Sequence, residues 1–217
     1  MRKIKETDDR LNEKDAIRSV KFIDNIFKRN NVMYWLDYGT LLGVIRDKKF
    51  IPWDTDIEFY MFYRDMSDVH KVLQDIKKEG FGLLVHDITN PRRGATIEDR
   101  KGYIHMSFGW FKYRPFISSF FYYLPSFLRK KIMKFTHKFY SNSTNKKIRP
   151  YEGKERVSHK FSCVVREFLP IFFCGRIKDV DFYDFTVSVP GKSEDLLYFR
   201  YGKDWRIPKK EYESYTV

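Results

Sequence analysis

Two stretches of the chain space their apolar residues as one face of an α-helix does. The first runs from about residue 13 to residue 30, and the second from residue 67 to residue 78. Charged residues occupy the opposite faces, so each stretch predicts an amphipathic helix packed on a core. Gly80 is expected to end the second helix. The apolar positions are Ile17, Val20, Ile23, Ile26 and Phe27 in the first stretch, and Val69, Val72, Leu73 and Ile76 in the second.

Short apolar runs predict strands between and after these helices. They lie at 32–36, 56–61, 81–86 and 103–110, with further extended segments at 156–165 and 181–189. Ser193 is a suitable cap for a last helix that runs to about Tyr201, since Glu194 and Asp195 favour its first turn. This set of elements predicts an α+β fold.

The stretch between residues 34 and 61 holds the candidate chemistry. Gly39 and Thr40 form a predicted turn, and Leu41 to Arg46 predicts one or two turns of helix. The first N–H groups of that helix could receive a phosphate, because the backbone dipole is positive there and Gly39 allows a close approach. Arg46 could pair with the phosphate through its bidentate guanidinium. Gly39, Thr40 and Arg46 are therefore the predicted phosphate- or nucleotide-binding residues.

Three carboxylates follow at alternate positions, at Asp54, Asp56 and Glu58. Alternate side chains of a strand share a face, so Asp56 and Glu58 point the same way, and Asp54 joins them if the extended conformation begins there. Clustered carboxylates repel one another unless a cation lies between them, and their oxygens suit Mg²⁺ or Mn²⁺. We predict that Asp56 and Glu58 hold a metal and that all three acids are catalytic. A solvated acidic turn is the alternative, and the glycine turn, helix and Arg46 just before the acids favour the metal site.

The run from Tyr34 to Met61 strongly resembles the signature of the LicD and fukutin-related family. That signature is W-L-x-x-G-[ST]-L-L-G-x-x-R followed by I-P-W-D-x-D-[IV]-D, and Glu58 stands where the family usually has a third Asp. Residues 189–208, from a Val-Pro pair through Tyr-Gly to Trp and Pro, resemble the second signature of the family. The two signatures occur in the family's order, about 130 residues apart.

The resemblance implies a nucleotidyltransferase-like mixed sheet flanked by helices. It also implies transfer of a phospho-alcohol, such as phosphocholine or ribitol phosphate, from a CDP-linked donor. The acceptor would be the hydroxyl of a glycan or lipid-linked glycan in cell-surface polysaccharide or glycoconjugate synthesis. Two alternatives stay open: a nucleotidyltransferase that moves a nucleoside monophosphate from a nucleoside triphosphate, and a catalytically weakened homologue that binds membranes or polyanions.

The fourth predicted strand departs from the family pattern. The family usually has H-x-D there, and its Asp is a further metal ligand, whereas this chain has His105-Met-Ser107. His105 and Ser107 are therefore expected as second-strand contributors to the site. Because a neutral hydroxyl binds a hard cation more weakly than a carboxylate does, the chain could rely on the three acids alone, use another acid such as Asp87, or have low activity.

Composition narrows the class of partner without choosing within it. The 217 residues are 42% hydrophobic and 33% charged, as in folded globular proteins, and we expect one domain over residues 1–217. The net charge of +13 favours polyanions such as nucleotides, phosphorylated glycans and anionic membranes. The carboxylate strand argues against a nucleic-acid module, so nucleic acid is not an expected partner. Two cysteines are too few for a disulfide scaffold or a four-ligand zinc site.

A helical insertion at about 112–150 combines aromatic residues with clustered Lys and Arg. Such a segment suits a helix lying in an anionic membrane interface, and it also suits helices that pack on the core or cover the active site, since every helix of a small domain must bury one face. The sequence shows no stretch that would span a bilayer and no secretion signal. We therefore expect a cytoplasmic protein, peripheral at the inner face of the membrane if the first interpretation holds.

Overall fold

The computed structural model describes residues 11–64, 66–85, 95–98, 105–112, 128, 131 and 173–208. This part of the chain has mixed α/β structure, as predicted. The elements, in chain order, are α1 (Glu13–Arg29), β1 (Tyr34–Leu36), α2 (Tyr38–Arg46), β2 (Asp56–Tyr63), α3 (Met66–Lys78), β3 (Gly82–Val85), β4 (Ala95–Glu98), β5 (His105–Lys112), β6 (Ile177–Phe182), β7 (Phe185–Pro190) and α4 (Ser193–Tyr201).

Five strands form a mixed sheet in the order β1-β2-β5-β4-β3. β2 and β5 run parallel, and the other neighbouring pairs are antiparallel. β6 and β7 pair in a separate two-stranded sheet. The parallel pair sets the beginning of β5 beside the beginning of β2, since Asp56 lies opposite His105.

The chain divides into two compact units. The first comprises residues 1–113 and 177–189, and the second comprises residues 114–176 and 190–217. The expectation of a single domain stays a prediction. The insertion at 112–150 and the extended segment at 156–165 fall almost wholly outside the described residues.

The core of the first unit lies between the sheet and the amphipathic helices. The apolar faces of α1 and α3 are buried as their spacing predicts. Phe27 of α1 stacks on Tyr34 of β1, with ring centroids 4.4 Å apart. On β2, Ile57, Phe59 and Met61 are buried, whereas the alternate residues Asp56, Glu58 and Tyr60 are partly exposed. β2 therefore turns one face to the core and presents its carboxylates on the other.

Tyr34 also anchors β7 and α1 to the sheet. Its buried hydroxyl donates to Asp24 Oδ1 at 2.6 Å, and Lys28 Nζ donates to the other Asp24 oxygen at 2.7 Å. The Ser188 N–H of β7 donates to the Tyr34 hydroxyl at 3.4 Å. Burial, reinforced by the hydrogen bond to Asp24, raises the pKa of Tyr34, so the phenol stays protonated and keeps its donor.

The turn between β6 and β7 packs on the loop that precedes β2. Tyr183 has a φ of 54°, and its hydroxyl donates to Glu13 and accepts the Phe50 N–H at 3.0 Å. Lys21 of α1 pairs with the neighbouring Asp184 at 2.7 Å. The sequence predicted one extended segment at 181–189, and the structure instead has a hairpin that turns at Tyr183 and Asp184.

The described part of the second unit centres on α4. Leu196, Leu197 and Phe199 are buried, and the ring of Phe199 lies 5.7 Å from that of Phe173. The helix was predicted to have Ser193 as its cap, and this is wrong: Lys192 is the N-cap, Ser193 is the first helical residue, and the Ser193 hydroxyl donates to the Pro190 carbonyl. Gly202, with a φ of 79°, follows the end of the helix. None of the helices that the structure describes is long and apolar enough to cross a lipid bilayer.

Candidate functional site

The candidate site begins where α2 starts, directly after β1. Asp37 is buried and caps this helix, with its side chain accepting the Tyr38 N–H at 2.9 Å. Its own N–H donates to the Glu58 carbonyl at 3.1 Å, which ties the cap to β2. Tyr38 has a φ of 44°, a conformation that is uncommon for residues other than glycine. Gly39 and Thr40 therefore form the first turn of α2, whereas the sequence predicted a turn ahead of the helix.

Thr40 holds the carboxylate of Glu58. The Thr40 N–H donates to Glu58 Oε2 at 3.1 Å, and the Thr40 hydroxyl donates to the same oxygen at 2.8 Å. In return, the Glu58 N–H donates to the Thr40 hydroxyl oxygen at 3.0 Å. The group at the N-terminus of α2, where the helix dipole favours an anion, is therefore the carboxyl of Glu58. The phosphate-binding role of Thr40 stays a prediction.

Gly39 makes room for the carboxylate of Asp54. A Cβ built on Gly39 would lie 2.6 Å from Asp54 Oδ2, which is far closer than ordinary van der Waals contact. The backbone of Asp54 is fixed on both sides, since its N–H donates to Ile51 and its carbonyl accepts the Leu11 N–H, each at 3.0 Å. The close approach at Gly39 that the sequence predicted for a phosphate is made here by a carboxylate of the chain itself.

The loop between α2 and β2 folds back along the helix. Gly43, one turn after Gly39, would place a Cβ 2.5 Å from the Lys49 carbonyl oxygen. The two glycines thus allow the loop to lie against α2. Arg46 at the end of the helix is nearly buried and forms a bidentate pair with Asp47, at 2.8 and 2.6 Å. Its guanidinium is therefore already engaged, and its role in phosphate binding stays a prediction.

The three carboxylates share one electrostatic environment. Burial, followed by the charge of Asp56, raises the pKa of Asp54 to about 6. Burial, followed by the charges of Asp56 and Asp54, raises the pKa of Glu58, although the Thr40 hydrogen bonds oppose this shift. Each acid thus makes ionisation of its neighbours more costly. A cation bound among them would relieve that cost.

Hard oxygen donors of this kind suit Mg²⁺ or Mn²⁺, so the chemistry of the residues fits the predicted metal. As the side chains are placed, however, the described residues contain no group of three His, Cys, Asp or Glu that would hold a metal ion. The assignment of Asp56 and Glu58 as ligands, with Asp54 as the third catalytic acid, therefore stays a prediction.

Comparison with known proteins decides the family. A family model described as LicD/FKTN/FKRP, nucleotidyltransferase domain, matches residues 31–163, which is more than half of the chain. The chain belongs to the LicD/FKTN/FKRP family. The match covers the whole candidate site and confirms the family that the two signatures predicted.

Several curated proteins are similar to parts of this LicD-family chain. An uncharacterised protein of Rickettsia typhi is 31% identical over 77 residues, which are 34% of this chain and 25% of that protein. The lipopolysaccharide cholinephosphotransferase LicD of Haemophilus influenzae is 55% identical over 50 residues, which are 23% of this chain and 18% of that protein. The ribitol 5-phosphate transferase FKRP of Homo sapiens is 28% identical over 54 residues, which are 25% of this chain and 11% of that protein. The matched region thus spans a quarter or less of these curated relatives.

β5 places the two remaining predicted positions of this LicD-family chain beside the carboxylates. In the parallel register, His105 is opposite Asp56 and Ser107 is opposite Glu58. The prediction that this strand neighbours the carboxylate strand is confirmed. The side chains of both residues, and all of Asp87, lie outside what the structure describes.

Sequence reasoning missed two features next to the acids. One is Asp37, which a preference for Asp at helix N-caps could have revealed had the helix been predicted to start earlier. The other is Tyr60, which follows Glu58 on the same face of β2. Its ring lies over Gly109 of β5, where a Cβ would come within 2.2 Å of a ring carbon. Tyr38 lies beside it, with centroids 6.1 Å apart.

Proposed function

We propose that this protein is a metal-dependent transferase with a nucleotidyltransferase-like fold. It would move a phospho-alcohol, such as phosphocholine or ribitol phosphate, from a CDP-linked donor to a glycan hydroxyl. The observation that carries the proposal is the set of three neighbouring carboxylates, Asp54, Asp56 and Glu58. Two of them lie against the first turn of α2, Asp54 at Gly39 and Glu58 at Thr40. Two relatives, a cholinephosphotransferase and a ribitol 5-phosphate transferase, support the choice of transferred group.

Asp56 and Glu58 are the residues proposed to hold Mg²⁺ or Mn²⁺, with Asp54 beside them. The bound ion would offset the charge of the donor pyrophosphate and of the departing nucleotide. In the absence of metal, the repulsion within the cluster opposes its full ionisation. Binding of the cation and ionisation of the acids are therefore coupled, so metal affinity should rise with pH through the range where the acids titrate.

The transfer step would exchange one phosphorus–oxygen bond for another. The acceptor hydroxyl oxygen bonds to the phosphorus that carries the alcohol, and the bond from that phosphorus to the bridging oxygen breaks. CMP leaves with the bridging oxygen, and the hydroxyl proton passes to a carboxylate of the cluster. Carboxylates with raised pKa values are better proton acceptors near neutral pH than ordinary Asp or Glu, which suits this role.

The acceptor proposed is a glycan or a lipid-linked glycan, met at the cytoplasmic face of an anionic membrane. The net charge of +13 supports attraction to such a surface. The basic aromatic segment that would make the contact lies almost entirely outside the described residues. Cytoplasmic location and peripheral attachment are therefore part of the proposal.

A donor screen tests the proposal. Purified protein is incubated with CDP-choline or CDP-ribitol and with Mg²⁺, Mn²⁺ or EDTA, and CMP release is measured. We expect metal-dependent CMP release from one donor, and its loss in Asp56→Ala. Asp181→Ala removes an exposed carboxylate of β6 and serves as the matched control. Pyrophosphate release from a nucleoside triphosphate would instead establish nucleotidyl transfer, and absence of both products would refute transferase activity.

A further inference from the structure

Both hydrogen-bond donors of Thr40 converge on a single oxygen of Glu58. Its N–H and its hydroxyl meet Oε2 at 3.1 and 2.8 Å, and the hydroxyl oxygen also accepts the Glu58 N–H. Thr40 is itself only 2% exposed. The pair therefore fixes both the position of the Glu58 backbone and the rotation of its carboxylate, at the point where α2 meets β2.

The second carboxylate oxygen has a different environment. No hydrogen bond reaches Glu58 Oε1 from the residues that the structure describes. A carboxylate held through one oxygen leaves the other oxygen as the acceptor for a ligand. The lone pairs of Oε2 are occupied by Thr40, so the two oxygens of Glu58 have separate uses.

We infer that Thr40 is a positioning residue, which orients Glu58 so that Oε1 is the oxygen offered to the divalent cation. This inference rests on the proposed function, because it gives the cation as the ligand. It also reassigns the N–H of Thr40, which lies in the first turn of α2. While Thr40 holds Glu58, that N–H cannot bind a donor phosphate, so the two assignments exclude one another.

Variants at Thr40 separate positioning from mere packing. Thr40→Ser keeps the hydroxyl, whereas Thr40→Val keeps the shape of the side chain and loses the hydroxyl. Replacing a residue that orients a metal ligand typically lowers metal affinity 10- to 100-fold. We therefore expect Thr40→Val to bind Mn²⁺ about 10- to 100-fold more weakly and to lower kcat without raising KM for the acceptor. Thr40→Ser should restore both values to near those of the wild type.

Binding of Mn²⁺ to the metal-free protein, followed by electron paramagnetic resonance, gives a readout that does not depend on turnover. Thermal unfolding of each variant shows whether it is folded. If Thr40→Val does not fold, Thr40→Ala is compared with Thr40→Ser instead. Wild-type Mn²⁺ affinity in Thr40→Val and Thr40→Ala would overturn the inference.

Exchange of the Thr40 amide hydrogen separates this inference from the proposed function. We expect slow exchange in the wild type and faster exchange in Glu58→Ala, which removes the acceptor. A shift of the Thr40 amide resonance with inorganic phosphate in metal-free wild type, at concentrations that leave Glu58 unperturbed, would overturn the assignment of that N–H.

If wild type binds no Mn²⁺ and releases no CMP, the proposed function fails, and with it the role of the cation here. Loss of Mn²⁺ binding in Thr40→Val, with Thr40→Ser unaffected, supports the inference.

Discussion

Two glycines on one face of α2 provide a sharp test of how the site is built. Gly39 and Gly43 are one helical turn apart, and both are in close contact with the loop that follows. A Cβ on Gly39 would meet the end of a side chain, Asp54 Oδ2, at 2.6 Å. A Cβ on Gly43 would meet backbone, the Lys49 carbonyl oxygen, at 2.5 Å. The same substitution to Ala should therefore have different effects at the two positions.

The two substitutions are expected to change the free energy of unfolding by different amounts. Ala in a helix interior is favoured over Gly by about 1 kcal/mol. Gly43 lies in the interior of α2, whereas Gly39 lies in its first turn, where this gain is smaller. In Gly39→Ala only the end of the Asp54 side chain must move, although its Oδ1 accepts the Thr55 N–H at 3.0 Å, so we expect the unfolding free energy to change by less than about 1 kcal/mol. In Gly43→Ala the loop backbone must move, and overpacking of this kind costs about 1–3 kcal/mol. The net result should be a Tm lowered by a few degrees.

Metal binding is expected to show the opposite pattern, with the larger loss in Gly39→Ala. In Gly39→Ala the Asp54 carboxylate must move about 0.8 Å away from the new Cβ. This is the difference between 2.6 Å and the 3.4 Å at which ordinary van der Waals contact begins. Functional groups must be held to within about 0.5 Å, so Mn²⁺ affinity and CMP release should fall about tenfold or more. Calorimetry of unfolding and Mn²⁺ titration on both variants measure the two effects. A Gly39→Ala protein with full Mn²⁺ affinity and activity would refute the role given to Asp54.

Three further outcomes follow from the structure. In metal-free protein, burial and the charge of Asp56 raise the pKa of Asp54 from 3.8 to about 6. Between these pH values the folded state therefore binds more protons than the unfolded state. The unfolding free energy should fall as pH rises through this window, by on the order of 3 kcal/mol. Chemical denaturation at several pH values checks this, and a pH profile that Asp54→Asn leaves unchanged would contradict it. Asp56→Asn should raise the Tm of metal-free protein, because it relieves repulsion; a lowered Tm would count against the shared charge. Tyr183→Phe should cost about 1–3 kcal/mol by leaving the Phe50 N–H without its acceptor, and an unchanged denaturation midpoint would show that water replaces the hydroxyl.

The elements that sequence predicted well are those whose pattern repeats. α1 and α3 show several turns of apolar spacing, and each buries the face that this spacing marks. β2 alternates strictly from Asp56 to Phe59, so its two faces could be assigned before the structure. The adjacency of β5 came from a family resemblance, since periodicity alone does not pair strands 49 residues apart.

The elements that sequence missed depend on contacts between distant residues. Gly39 is a poor helix former, so the first turn of α2 was predicted as a separate turn, although the Asp37 cap extends the helix over it. β4 has only four residues, Ala95–Glu98, and it forms by pairing on both sides, with β3 and β5. The approach of Asp54 to Gly39 arises because the loop folds back, and no local pattern encodes that path.

The hydrogen bonds around the site close chain loops of very different length. Thr40 and Glu58 are 18 residues apart, whereas Phe50 and Tyr183 are 133 residues apart. Loop-closure entropy grows with the logarithm of this separation, so the longer closure costs about 2 kcal/mol more. During refolding, the pairing of α2 with β2 should therefore precede the docking of the hairpin turn. In a chain diluted out of denaturant, the contact of Thr40 with Glu58 should form early, and the contact of Tyr183 with the loop before β2 should form last.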